Sequence, residues 1–65
     1  MFTIKQARRY AGLTQVKMAD ALGVCRDKYM KIEKNPETAT IGQAKIIARE
    51  TGVPLEDILF VGNST

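Results

Sequence analysis

An all-α domain of five short helices around one core is what the sequence predicts, and three observations carry the prediction. Apolar residues recur at helical spacing over about two thirds of the chain, and no stretch alternates strictly enough to make a strand. Cap residues and glycines punctuate that pattern, with Thr3, Thr14 and Thr40 at helix starts and Gly12, Gly23 and Gly52 at helix ends. At 65 residues the chain has room for a single core and holds no repeat or internal linker. The apolar run "ILFV" at 58–61 is too short and isolated to found a sheet.

The elements follow in order. Thr3 with Gln6 forms a capping box, which starts helix 1 at about Ile4 and carries it to Tyr10. Ile4, Ala7 and Ala11 share one face, and Gly12 stops the helix. Thr14 caps helix 2, about Gln15 to Leu22, with Met18, Ala19 and Leu22 inward. Gly23 stands just past its end, where a left-handed backbone suits glycine. Helix 3 runs from about Arg26 to Lys34 with Tyr29 and Ile32 inward, until Pro36 forces Asn35 out of helical geometry. Thr40 with Gln43 is a second capping box, opening helix 4 near Ile41; Ala44, Ile47 and Ala48 make its buried stripe and Gly52 closes it. Pro54 suits the entrance of a short helix 5 over about 55–60, with Ile58 and Leu59 inward. Residues 1–62 then form the domain, and 63–65 a flexible tail.

Composition narrows the function. Net charge is +3, unevenly spread. Residues 1–34 hold eight cations against three carboxylates, a net +5, whereas residues 35–65 hold two against four, a net −2. Such a split suggests one face aimed at a polyanion, although solvated lysines would give the same count. With one cysteine, Cys25, and no histidine, neither an intrachain disulfide nor a four-ligand structural zinc site is expected, and no cofactor is implied. No run approaches the roughly 20 apolar residues of a membrane span, and the beginning lacks a signal peptide's apolar region, so a cytoplasmic protein is expected. Catalysis is not expected either. The thiol has no base beside it, no glycine-rich phosphate loop occurs, and Glu56-Asp57 suits the positive end of a short helix.

The joint between helices 2 and 3, "GVC" at 23–25, is short enough for the two to cross at a wide angle, the geometry of a helix-turn-helix. Ala19, four residues before Gly23, is small enough for close approach; Val24 follows the glycine, and Tyr29 and Ile32 fall six and nine residues beyond it. On these residues, "LTQVKMADALGVCRDKYMKIEK" (13–34) resembles the helix-turn-helix of the phage Cro and cI-type repressors, the XRE-like regulators. "IKQARRYAG" is similar to that family's first helix and "IGQAKIIARETGVPLEDILF" to its last two, so the resemblance spans about residues 2–60. It implies a lambda-repressor-like domain that binds double-stranded DNA with helix 3 in the major groove, as a repressor acting as a homodimer on a two-fold operator.

Around the inward Tyr29 and Ile32, the exposed positions of helix 3 are Arg26, Asp27, Lys28, Met30 and Lys31. The Arg26 guanidinium matches guanine O6 and N7, and Lys31 on the same side can donate to guanine or hold a phosphate. Asp27 either accepts from a cytosine amino group or merely complements the helix dipole. Lys28 meets phosphate or solvent. Gln15 matches a position the family sets against the DNA backbone, though an exposed helix former would look the same. Lys34 and Asn35 are expected backbone contacts, as are Lys5, Arg9 and Lys17, for which a solvated face is an equal explanation. Arg8 and Glu33 match family positions that pair the first helix with the end of helix 3. Dimer contacts are expected from Val53, Leu55, Phe60 and Val61.

The chain departs from the family twice. Cys25 stands where the family has Ser or Thr at the cap of helix 3, and a thiol is a poor acceptor. The loop "KNPETAT" (34–40) carries Glu37 where relatives carry basic residues, which implies fewer phosphate contacts and a shallower salt dependence. A protein-interaction module of the same fold, an anti-repressor or antitoxin, is the alternative that Met30, Phe60 and Val61 keep open.

Overall fold

A computed structural model describes residues 1–60. Four α-helices occupy them: α1 Ile4–Tyr10, α2 Gln15–Leu22, α3 Arg26–Lys34 and α4 Ile41–Thr51, with no strand among the described residues. Single 3-10 turns follow α3 at Pro36–Thr38 and α4 at Leu55–Asp57.

The starts obey the cap chemistry in the sequence. The Thr3 hydroxyl accepts from the Gln6 N–H at 3.1 Å while the Gln6 side chain accepts from the Thr3 N–H at 2.9 Å. Thr40 and Gln43 repeat the arrangement at α4, and the Thr14 hydroxyl accepts from the Lys17 N–H at α2. Each bond satisfies an N–H that the first turn of a helix leaves free. At the end of α2, Gly23 is left-handed at φ 70°, and nothing lies within 4 Å of where its Cβ would be. Glycine is needed there for backbone conformation rather than for close approach. That conformation lets the Gly23 N–H reach the Asp20 carbonyl and the Val24 N–H reach the Ala19 carbonyl, a pattern that turns the chain sharply into α3.

The core consists of Ile4, Ala7, Met18, Ala19, Tyr29, Ile32, Ala44, Ile47, Val53 and Ile58, so every helix contributes. α2 packs against both α3 and α4, and α1 against α4. Ala11, expected on the inner face of helix 1, is exposed because it caps the helix and turns outward with Gly12.

Helix 5 shrinks to the single turn Leu55–Asp57. A longer helix would need the Asp57 carbonyl and the Leu59 N–H, and both are taken by Phe2. The Phe2 N–H donates to the Asp57 carbonyl and the Leu59 N–H to the Phe2 carbonyl, each at 2.7 Å. Ile58 is consequently extended, paired with Phe2 in an isolated parallel bridge, and buried. The start of the chain is thereby tied to the segment that follows α4. Val61 and the tail 63–65 lie outside the described residues.

Candidate nucleic-acid interface

α2, the turn at Gly23–Cys25 and α3 form a helix-turn-helix whose inner side is locked by Met18, Ala19, Tyr29 and Ile32. With Tyr29 and Ile32 buried, the 3.6-residue period turns Arg26, Asp27, Lys28, Met30, Lys31 and Lys34 outward. All six are exposed. Two shallow concavities run along this face: one is lined by Asp27, Met30, Lys31 and Lys34, the other by Lys5, Gln15, Met30, Glu33 and Lys34. A third, where α3 meets the start of α4, brings Lys28, Lys31 and Asn35 beside Thr38, Thr40 and Gln43. Arg9 and Lys17 are exposed on α1 and α2. Among the described residues the ion pairs are Arg8 with Glu33 and Arg49 with Glu50, so no carboxylate neutralises Arg26, Lys28, Lys31 or Lys34. The outward face of α3 thus carries four uncompensated cations against Asp27, and Asp27 stands in the first turn, where the dipole favours it.

Cys25 occupies the cap of α3 with extended backbone angles and makes no side-chain cap bond. The first turn of α3 therefore has no side-chain cap on its N–H groups.

Behind this face lies a polar anchor. Arg8 Nε donates to Glu33 Oε2 at 2.6 Å, and a second guanidinium nitrogen donates to the Leu13 carbonyl at 2.8 Å. The Tyr29 hydroxyl donates to the same Oε2 at 2.6 Å, and Gln15 Nε2 donates to Oε1 at 3.3 Å. Glu33 thus ties α3 to α1 and to the start of α2. Sequence reasoning assigned Tyr29 to the core and Gln15 to the DNA backbone, and it overlooked both bonds to Glu33. The four-residue spacing of Tyr29 and Glu33 was the available signal, since such pairs meet on one helix face. Gln15 is half-buried with its amide turned toward Glu33, so what α2 offers outward at this end is chiefly backbone N–H.

Burial and the adjacent Glu33 carboxylate push the Tyr29 phenol well above its ordinary value of 10.0. Above about pH 10 the unfolded chain releases this proton while the folded chain keeps it, so the folded state binds more protons and stability falls as pH rises. Below pH 10 the contribution is fully present. The expected slope above it is about 1.4 kcal/mol per pH unit. Urea midpoints measured on either side of pH 10 should reveal this slope in the native chain and lose it in Tyr29→Phe.

Of the expected dimer residues, Val53 is 3% exposed and belongs to the core of its own chain, which corrects its assignment to an intersubunit surface. It follows the left-handed Gly52 that ends α4 and belongs to the same core cluster as Ile47. Leu55 and Phe60 do reach the surface, where they line a shallow hollow with Ile41 and Ala44. Val61 lies outside the described residues. No described helix is long and apolar enough to cross a membrane.

Comparison with known proteins agrees with this geometry. The family model described as helix-turn-helix matches residues 4–58, from the first residue of α1 to the buried Ile58. No curated protein and no solved structure gives a significant match. The match covers most of the chain and coincides with the structural unit, including the turn at Gly23 and the basic helix beyond it. The chain belongs to the helix-turn-helix family of DNA-binding transcription regulators, of the Cro/cI or XRE-like type.

Proposed function

We propose that the chain is a Cro/cI-like repressor of the cytoplasm that binds a two-fold operator as a homodimer, with α3 in the major groove of each half-site. The observation that carries this is the outward face of α3, where Arg26, Lys28, Lys31 and Lys34 form no ion pair among the described residues and follow a glycine turn. Its N-terminal turn would lie deepest, so Arg26 is assigned to guanine O6 and N7, Lys31 to a guanine one turn on, and Asp27 to a cytosine amino group. Gln15, through its main-chain N–H at the start of α2, and Lys17, Lys28, Lys34, Asn35 and Arg9 are assigned to the DNA backbone, which fixes register without reading sequence. Leu55 and Phe60 supply the dimer contact, and occupancy of a promoter-overlapping operator would exclude polymerase.

Selection from a pool of randomised duplex DNA tests the whole proposal. A two-fold motif with half-sites about one helical turn apart is the expected product. A lone half-site would sink the homodimer, and absence of enrichment at low salt would sink the operator role in favour of a protein partner. On the selected duplex, Arg26→Ala should cost about 1–3 kcal/mol and relax the preference at one base pair. Lys17→Ala should instead weaken all duplexes about equally and lower the salt slope by about 1. Titrations of both variants at two salt concentrations separate the roles, and identical behaviour would refute the assignment.

A further inference from the structure

We propose that Met30 is a specificity-determining residue that reads the 5-methyl group of a thymine, a role that rests on the DNA-binding function proposed above. Met30 is an exception on its helix face. It is 39% exposed, and the side chains beside it are charged or polar: Asp27, Lys31 and Lys34 in one concavity, Lys5, Gln15 and Lys34 in the other. It stands four residues after Arg26 and four before Lys34, so it shares one exposed stripe along α3 with both, on the side toward α1 and α2. The core does not hold it, since Tyr29 and Ile32 fill the inward positions of α3.

In the major groove the edges of the bases present donors, acceptors and one apolar group, the thymine methyl. Pressing a thioether against a polar edge would strip water from that edge without replacing its hydrogen bonds, which is unfavourable. Pressing it against the methyl removes apolar surface from water on both sides. The unbranched, polarisable side chain of methionine can adjust to a methyl whose position shifts with local DNA shape. Met30 would therefore favour thymine and disfavour the other bases by the same contact, between the base pairs read by Arg26 and the phosphates held by Lys34.

The test uses the full chain and the duplex obtained by selection from randomised DNA, with each thymine replaced in turn by deoxyuridine, which lacks only the methyl. One replacement per half-site removes two methyls from the two-fold site and should weaken the native chain about fifteenfold, about fourfold for each buried methyl group. Met30→Leu should retain this sensitivity. Met30→Ala should bind the two duplexes equally while keeping the preference conferred by Arg26. Circular dichroism should show native helix content in both variants, because the side chain is outside the core. Indifference of the native chain to every replacement, a selected site without thymine, or methyl sensitivity that survives Met30→Ala would each overturn the assignment and leave DNA binding intact. Failure to enrich any duplex would instead overturn the DNA-binding proposal, and this inference with it.

Discussion

Replacing Glu33 by alanine is expected to lower stability by about 3–5 kcal/mol, the usual consequence of removing one partner from a buried ion pair. The side chains of Arg8 and Glu33 are 11% and 8% exposed, so neither charge has bulk water to fall back on. Without the carboxylate, the Arg8 guanidinium keeps the Leu13 carbonyl as its neutral partner, and the Tyr29 hydroxyl loses its acceptor altogether. Domains are stable by roughly 0.05–0.15 kcal/mol per residue, so a loss of this size removes much of what a chain this short possesses. Urea unfolding followed by circular dichroism should find Glu33→Ala largely unfolded at 25 °C. A double-mutant cycle with Arg8→Ala should show strong coupling, because the second substitution removes the charge that the first left stranded. Replacing both residues with apolar side chains of similar volume should recover a large part of the loss, since much of the single-variant penalty is uncompensated burial rather than the worth of the pair. Coupling below about 0.5 kcal/mol would mean that water reaches the site and that the anchor does not fix α3.

The anchor shows where legibility in the sequence ended. Helix boundaries were readable because their causes are local: Thr3 and Gln6, or Thr40 and Gln43, satisfy backbone groups three residues away. The outward face of α3 was readable for the same reason, since burying Tyr29 and Ile32 turns its cations to solvent by periodicity alone. What failed depends on contacts across the chain. The bridge between Phe2 and Ile58 joins residues at opposite ends of the described chain, and it overrides the helical tendency of 55–60 by claiming the backbone groups a helix would use. Val53 passed for a surface residue because the core cluster that takes it in leaves no mark on its own neighbours in sequence. The family position of Arg8 and Glu33 suggested their pairing, and the four-residue spacing of Tyr29 and Glu33 offered a local signal for a third partner, but nothing local indicated that Gln15 completes the shell around the carboxylate.

Ile47→Ala should have a comparable effect on stability and a different one on DNA. Ile47 is 0% exposed on α4, in the same core as Met18 and Tyr29, and Ile→Ala at such a site costs about 2–5 kcal/mol through lost burial and the cavity left behind. α4 packs on α1 and α2 and presents none of the residues assigned to bases. DNA binds only the folded chain, so the apparent dissociation constant should rise by the reciprocal of the folded fraction and no more. That loss should shrink when a stabilising osmolyte such as sucrose raises the folded fraction. The preferred sequence should stay unchanged throughout. Arg26→Ala should do the reverse, keeping the native melting temperature while altering preference at one base pair. Titrations with and without osmolyte on matched and mismatched duplexes therefore separate a weakened scaffold from a damaged reader. If Ile47→Ala altered base preference at full folding, the core beneath α2 would have to set the angle of α3 in the groove, and the assignment of specificity to exposed side chains alone would fail.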